Sequence, residues 1–286
     1  MNIAISGASG FIGKHLTAYF MKQGHQVIPL GRTLFREDMF GRLVQMLSHC
    51  DVVINLAGAS INKRWTPEYK SELYESRIQV TRRIVNALRA VRQKPKLLIS
   101  ASAVGYYPDI GTFDEDLNIH GTGFLADLCY AWEKEAQRCP SQTRLVITRF
   151  GIVLSPDGGA MAQMLRPVKM MKIGVAIGPG LQPFPWIDMG DLCRAMEFII
   201  AHESLHGVVN LVAPQPVSQY TFTYVMAKAY GAWTTFIIAG SCFRLLYGEG
   251  ASFLTTGQNV YPKRLLDAGF EFTKPTIKKL FKLNNR

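Results

Sequence analysis

Acidic residues are scarce in this chain. It holds 21 Asp and Glu against 32 Lys and Arg, a formal net charge of +11 at pH 7. Such a balance raises nucleic-acid binding as a reading. The cations, however, are spread along the chain, with no long basic run and no aromatic-basic RNP-like motif. A basic surface that attracts anions, phosphorylated cofactors and substrates among them, is the simpler reading, and no nucleic-acid partner is expected. Cysteine is sparse as well. Cys50, Cys129, Cys139, Cys193 and Cys242 are scattered, and none forms a C-x-x-C pair. That argues against a disulfide framework and for reduced, mostly buried thiols. His15, His25, His49, His120, His202 and His206 form no ligand-spaced set with acids, so no metal is expected. Long apolar runs are missing too. Phe236-Ile237-Ile238-Ala239-Gly240 is soon interrupted by Arg244, too short to span a bilayer. A strand pattern that starts at Ile3 leaves no room for a signal peptide. The expectation is a cytoplasmic protein without a membrane partner. There is no internal repeat and no low-complexity tract.

What is present is a globular profile: 48% of 286 residues are hydrophobic and 19% charged, enough for a full core. The length fits one large α/β unit with a smaller appended lobe, or two closely joined domains.

The densest signal lies at the start. Ile3-Ala4-Ile5-Ser6 runs into Gly7-Ala8-Ser9-Gly10-Phe11-Ile12-Gly13. Gly7 tolerates the positive φ of a sharp turn. Gly10 lets the backbone approach a pyrophosphate, and Gly13 lets the following helix pack close to the strand. The helix N-terminus offers free N–H groups and partial positive charge to that pyrophosphate. A bare glycine triplet is also how an ordinary tight turn looks. Here Ile12, Leu16, Tyr19 and Phe20 repeat at helical spacing, Gly24 stands where a helix ends, and His25 to Leu30 reads as a second strand. Strand, turn, helix and strand are complete.

The end of that second strand discriminates between dinucleotides. A carboxylate there would bind the ribose 2′-OH of NAD, and an arginine would accommodate the 2′-phosphate of NADP. The chain has Gly31-Arg32-Thr33, and no carboxylate before Glu37. Arg32 can present a planar fork to phosphate, although a solvated surface arginine is the commoner case. The cofactor expected is NADP(H).

Further along, Asp51 to Gly58 is an apolar strand ending in a small-residue turn, Leu56-Ala57-Gly58, beside the cofactor. Thr66 and Pro67 open a long helix that ends before Pro95. Lys96 to Ser100 is a strand, Leu125 to Gln137 a helix, and Arg144 to Arg149 a strand. The alternation implies a doubly wound parallel α/β sheet covered on both faces. After Gly151 the pattern turns glycine- and proline-rich around a Met-rich helix, Met161 to Met171. Gly207 to Leu211 reads as a late strand, and Ser218 caps a helix.

Several of these stretches together resemble an atypical branch of the short-chain dehydrogenase/reductase superfamily. Its members are labelled "NAD-dependent epimerase/dehydratase" or "epimerase family protein" and carry a C-terminal domain of unknown function. The stretches are Gly7 to Gly13, Asn55 to Gly58, Lys63-Arg64-Trp65, Ser76-Arg77, Ser100 to Tyr107, Trp132-Glu133, Gly158 to Met161, Pro185-Trp186-Ile187 and Pro262 to Leu265. The resemblance implies a Rossmann domain over residues 1–238, with about 155–185 contributing to a substrate lobe, and a small C-terminal domain over 239–286. It implies cofactor contacts from Gly7, Gly10, Phe11, Ile12, Gly13, Gly31, Arg32, Leu56, Ala57 and Val153. Glu72 and Arg77 are also implied, and the Arg77 guanidinium has the chemistry of a phosphate or ribose partner. One departure stands out: where the branch has Trp-Ile-His, this chain has Trp186-Ile187-Asp188.

Ordinary members of the superfamily use Ser, Tyr and Lys. The Tyr-x-x-x-Lys spacing puts both side chains on one helical face, and the lysine charge lowers the tyrosine pKa. Ser102 is placed like the family serine, or is a turn hydroxyl. Aligning Glu133 with the usual acid of this helix puts Leu125 and Cys129 in the Tyr and Lys places. A literal match, Tyr130 and Lys134, needs a shifted register. Tyr106 and Tyr107 could supply a phenol, but packing is the preferred reading. The function expected is an NADP(H)-dependent oxidoreductase or epimerase-like protein acting on a small polar, sugar-derived or other, substrate. The alternative is a non-catalytic NADP(H)-binding regulatory protein.

Overall fold

The structure, a computed structural model, describes residues 1–283, and for 244–247 the backbone alone. Residues 284–286 therefore lie outside the described residues. The chain opens β1 (Asn2–Ser6), α1 (Phe11–Lys22), β2 (Gln26–Leu30), α2 (Phe40–Leu47), β3 (Val52–Asn55), α3 (Pro67–Ala90) and β4 (Leu97–Ala103). It continues β5 (Thr112–Phe113), α4 (Phe124–Ala136), β6 (Arg144–Phe150), β7 (Ile152–Ser155), α5 (Gly159–Met171), β8 (Ile173–Ile177) and β9 (Trp186–Asp188). Then come α6 (Met189–Ala201), β10 (Gly207–Leu211), α7 (Gln219–Ala229) and β11 (Thr234–Ile238). The C-terminal part holds α8 (Gly240–Tyr247), α9 (Ser252–Thr255), β12 (Asn259–Val260), α10 (Lys263–Asp267) and α11 (Ile277–Leu280).

Six parallel strands form the central sheet in the order β10-β6-β4-β3-β1-β2. Both faces are covered, which is why these strands read as continuous apolar runs. Alternate residues part to opposite sides. Ile3, Ile5, Ile54 and Ile99 pack in a core with Leu16 and Phe20 of α1 and Leu192 and Met196 of α6. Ala4, Val53 and Leu98 pack with Leu43 and Leu47 of α2 and Ile84 and Leu88 of α3. Local signals hold at the helix ends. Thr66 accepts from the Tyr69 N–H with Pro67 behind it, and Gly24, at φ +78°, ends α1. From β1 the chain first goes outward to β2 and then back across to β3. That reversal opens a crevice at the carboxyl ends of β1 and β3.

A smaller lobe rises from the sheet. β8 and β11 pair in parallel, with α5 and α7 packed against them around Leu165, Val168, Phe222 and Met226. The apolar stretch at Phe236 is thus an edge strand. The chain beyond it is spread over the body. Phe253 stacks on Trp65 at 6.2 Å, Lys70 on α3 pairs with Glu249, and β12 pairs with β5. Further on, Arg264 N–H donates to Glu115, and Thr273 and Lys274 dock on α6.

Candidate functional site

The glycine turn forms a cradle that no side chain could share. Gly7 has φ +71°, and a Cβ on it would meet the Leu56 carbonyl oxygen at 2.9 Å. A Cβ on Gly13 would lie 2.2 Å from the Gly7 oxygen and 2.7 Å from the Ala8 Cα. Gly10 donates to the Gly7 carbonyl at 2.9 Å and has only that atom near its missing side chain. α1 starts at Phe11 with no side-chain cap at Gly10, which leaves its first-turn N–H groups without a side-chain partner there. The Phe11 ring lies against Gly158 and Gly159, and Ile12 packs on the core.

A buried polar chain holds the opposite wall, and sequence reasoning missed it. Ser6 Oγ accepts the N–H groups of Leu56 and Ala57, at 3.1 and 3.3 Å, and donates to Asn55 Oδ1 at 2.6 Å. Asn55 Nδ2 and Trp132 Nε1 both donate to Thr81 Oγ1, at 2.8 and 2.9 Å. The loop that faces the cradle is therefore tied to β1, α3 and α4 at once. The signal in the sequence was a polar residue closing each of two apolar strands, Ser6 and Asn55.

Gly31 and Arg32 are exposed just past β2. The next carboxylates are engaged elsewhere: Asp38 with Arg36 and Glu37 with Arg83, each at 3.4 Å. Arg77 stands behind the crevice wall as a brace. Its guanidinium donates to the carbonyls of Leu73 and Ala59, at 3.1 and 3.0 Å, and lies 5.3 Å over the Trp132 ring. Burial pulls its pKa down. Glu72 is exposed on the same helix, and Val153 is buried in β7, paired with Ile187 of β9.

Beyond β4 lies a second buried network. Ser102 donates to Glu133 Oε1 at 2.6 Å. Arg149 Nε and a terminal nitrogen meet the two oxygens of Glu133 at 2.7 and 2.8 Å. The guanidinium sits 3.5 Å over the Tyr106 ring and 4.6 Å over that of Tyr107. Tyr107 donates to Asn210 Oδ1, whose own N–H donates to Glu115. Burial pushes both phenols up, against the pull of Arg149. Both tyrosines are packed, as preferred from the sequence. The face of α4 toward Ser102 carries Cys129 and Glu133, and burial pushes the Cys129 thiol up to about 12. Tyr130 and Lys134 lie one step round the helix on its solvent side, the Lys134 ammonium 5.4 Å over the Tyr130 ring and that ring tilted against His120. The structure thus brings Ser102 to Glu133, not to the Tyr130/Lys134 pair.

Asp188, where the resembled branch has histidine, caps α6 through the N–H groups of Gly190 and Asp191 and pairs with Lys274 at 2.7 Å. Among the described residues no three His, Cys, Asp or Glu gather as metal ligands.

Comparison with known proteins agrees with this geometry. Residues 3–211 match the NAD dependent epimerase/dehydratase family, and residues 240–282 match a domain of unknown function, DUF1731. An epimerase family protein of Staphylococcus aureus (strain MRSA252) is 36% identical over 96% of this chain and 95% of its own length. One from Staphylococcus haemolyticus is 39% identical over 97% and 96%. The crystal structure of human epimerase family protein SDR39U1 (isoform 2) with NADPH superposes with a TM-score of 0.91 at 31% identity, covering 99% of this chain and 98% of that one. A Bacillus anthracis dTDP-4-dehydrorhamnose reductase in complex with NADP shares the fold, with a TM-score of 0.78 at 16% identity over 98% and 97%. The cradle, the sheet order and these matches lead to one statement: the chain belongs to the NAD dependent epimerase/dehydratase family.

Proposed function

We propose that this chain binds NADP(H) and acts as an oxidoreductase or epimerase-like enzyme on a small polar substrate, sugar-derived compounds included. The observation that carries the reading is Arg32, exposed at the end of β2 while Glu37 and Asp38 are paired with other arginines. The cradle fits the cofactor, because its glycines leave open the space a Cβ would fill and its N–H groups are uncapped. Gly7, Gly10, Phe11, Ile12 and Gly13 would hold the pyrophosphate, and Gly31 and Arg32 the 2′-phosphate. Leu56, Ala57 and Val153 would border the rest, with Arg77 keeping the Ala59 loop in place and Glu72 on the same helix. Held there, the dinucleotide would supply hydride transfer. The human relative crystallised with NADPH supports the choice of cofactor. All five cysteines are free, which fits a cytoplasmic, reducing setting.

For proton handling the candidates are Ser102, Tyr130 and Lys134. Ser102 would orient a substrate oxygen by exchanging its bond to Glu133. Tyr130 would donate the proton with the Lys134 ammonium lying over its ring, a role that requires substrate to reach the solvent side of α4. The second reading, a regulatory NADP(H)-binding protein, is favoured by Cys129 and Glu133 occupying the α4 face toward Ser102.

Titration with both dinucleotides tests the cofactor. NADPH is expected to bind at least ~10-fold more tightly than NADH, with Arg32→Ala removing most of that gap. Equal affinities in the parent protein overturn the assignment. NADPH oxidation across carbonyl compounds and nucleotide sugars then separates enzyme from binder: turnover on any of them supports catalysis, and tight binding with none moves the assignment to the regulatory reading.

A further inference from the structure

One region of the protein carries charge of a single sign. Neither residues 158–187 nor 204–248 contain Asp or Glu, and none follows Glu271. The fold gathers these stretches: α5, β8, α7 and β11 build the smaller lobe, and α11 packs on α7. No carboxylate within the lobe neutralises Arg166, Lys169, Lys172 or Lys228.

The same lobe exposes large apolar side chains. Trp233 is 88% exposed, Met170 82%, Leu181 77%, Ile237 57% and Phe236 55%. Apolar residues scattered singly over a surface are ordinary; several on adjoining segments of one lobe are less so. Here Met170 and Met171 end α5, Lys172 follows, and Trp233 donates its N–H to the Lys172 carbonyl at 2.9 Å. Trp233 leads directly into β11, the edge of its two-stranded sheet. Lys172 itself has φ +58°, a conformation that favours glycine, yet a cation stands there. On the outer side of α7, Tyr220 stacks with Tyr224, and the Lys228 ammonium lies over the Tyr224 ring at 4.8 Å.

Tryptophan, tyrosine and aliphatic side chains interleaved with unneutralised lysines are the composition of a face that lies in a lipid headgroup layer. A nucleic acid would use the cations but gains nothing from Met170, Leu181 or Ile237. A second copy docked by a two-fold axis would set the lobe's cations against their own images. We propose that this lobe docks on the surface of an anionic lipid bilayer without crossing it. No helix among the described residues is long and apolar enough to cross one.

Tryptophan fluorescence gives a direct readout, because Trp65, Trp132 and Trp186 are buried and Trp233 is not. The full-length protein is mixed with vesicles of phosphatidylcholine and phosphatidylglycerol, two to one, and followed by co-sedimentation and emission. Binding with a blue shift is expected, weaker in high salt and absent with pure phosphatidylcholine. Lys169→Glu with Lys172→Glu should weaken binding at least ~10-fold. Trp233→Ser with Phe236→Ser should abolish the shift, with unchanged circular dichroism in both variants. Protein that stays in the supernatant at low salt overturns the proposal, as does binding that both variants retain. Lipid-free dimers dispersed by the Trp233/Phe236 variant, without vesicle binding, would assign the face to a second copy instead. Equal affinity for RNA, competing with the vesicles and lost only in the lysine variant, would assign it to nucleic acid.

Discussion

Ser102 donates its hydroxyl to Glu133 across 2.6 Å, with both groups buried, and the same carboxylate takes Arg149 through two nitrogens. The end of β4, the middle of α4 and the end of β6 are thereby joined by one carboxylate. A substrate oxygen held by Ser102, as proposed above, would have to displace that bond.

Glu133→Ala leaves the Arg149 charge buried without its partner. The expected loss of stability is about 3–5 kcal/mol, measured by urea unfolding. Glu133→Gln with Arg149→Met should recover much of it, because a neutral amide that still accepts from Ser102 costs far less to bury than an unpaired charge. A double variant as unstable as the single one would show that the ion pair is not the source.

Gly10 and Gly13 should separate binding from folding. An Ala at Gly13 drives its Cβ into the Gly7 and Ala8 backbone, so Gly13→Ala should cost about 1–3 kcal/mol or more and abolish cofactor binding. Gly10→Ala meets only the Gly7 oxygen, at 3.2 Å. It should leave the melting temperature nearly unchanged and weaken NADPH binding about 10-fold or more, through lost approach to the pyrophosphate. Thermal melts paired with NADPH titration check both.

Asp191 should set the acid limb of stability. Burial opposes its ionisation, but hydrogen bonds from Thr273 and Arg194, and from the N–H groups of Lys274 and Thr273, outweigh that and hold its pKa below the ordinary value. A folded-state pKa lowered in this way adds stability above the unfolded value, about 3.9. That contribution is lost as pH falls through the folded value. Asp191→Asn should lower stability at neutral pH and flatten the fall below about pH 4, as read by unfolding across pH. An unchanged acid slope would remove Asp191 from the account.

Much of the fold was legible because its signals act over a few residues. The apolar pattern marked the six sheet strands and α1, α3 and α4, though not α2 or α6; Thr66 and Pro67 marked the start of α3, and Gly24 the end of α1. The cradle was legible for the same reason, since a glycine's freedom at φ +71° is a property of one residue. Arg77 was less so. Its charge named it as a phosphate partner, whereas its hydrogen bonds to Leu73 and Ala59 make it a brace for the loop.

The sequence by itself determined the parallel α/β architecture and the glycine-lined crevice, because periodicity, caps and positive φ are local. Only the tertiary structure decided what faces what. Ser6 meets Asn55, Ser102 meets Glu133, and Asp191 meets Thr273, pairs far apart in the chain and brought together by the strand order β10-β6-β4-β3-β1-β2 and the returning C-terminal segment. The stretch 239–283, contiguous in sequence, is distributed in space over α3, α6 and β5. The physical reason is that burying a polar group requires a partner, and which partner is available is settled by packing, not by neighbours in the chain.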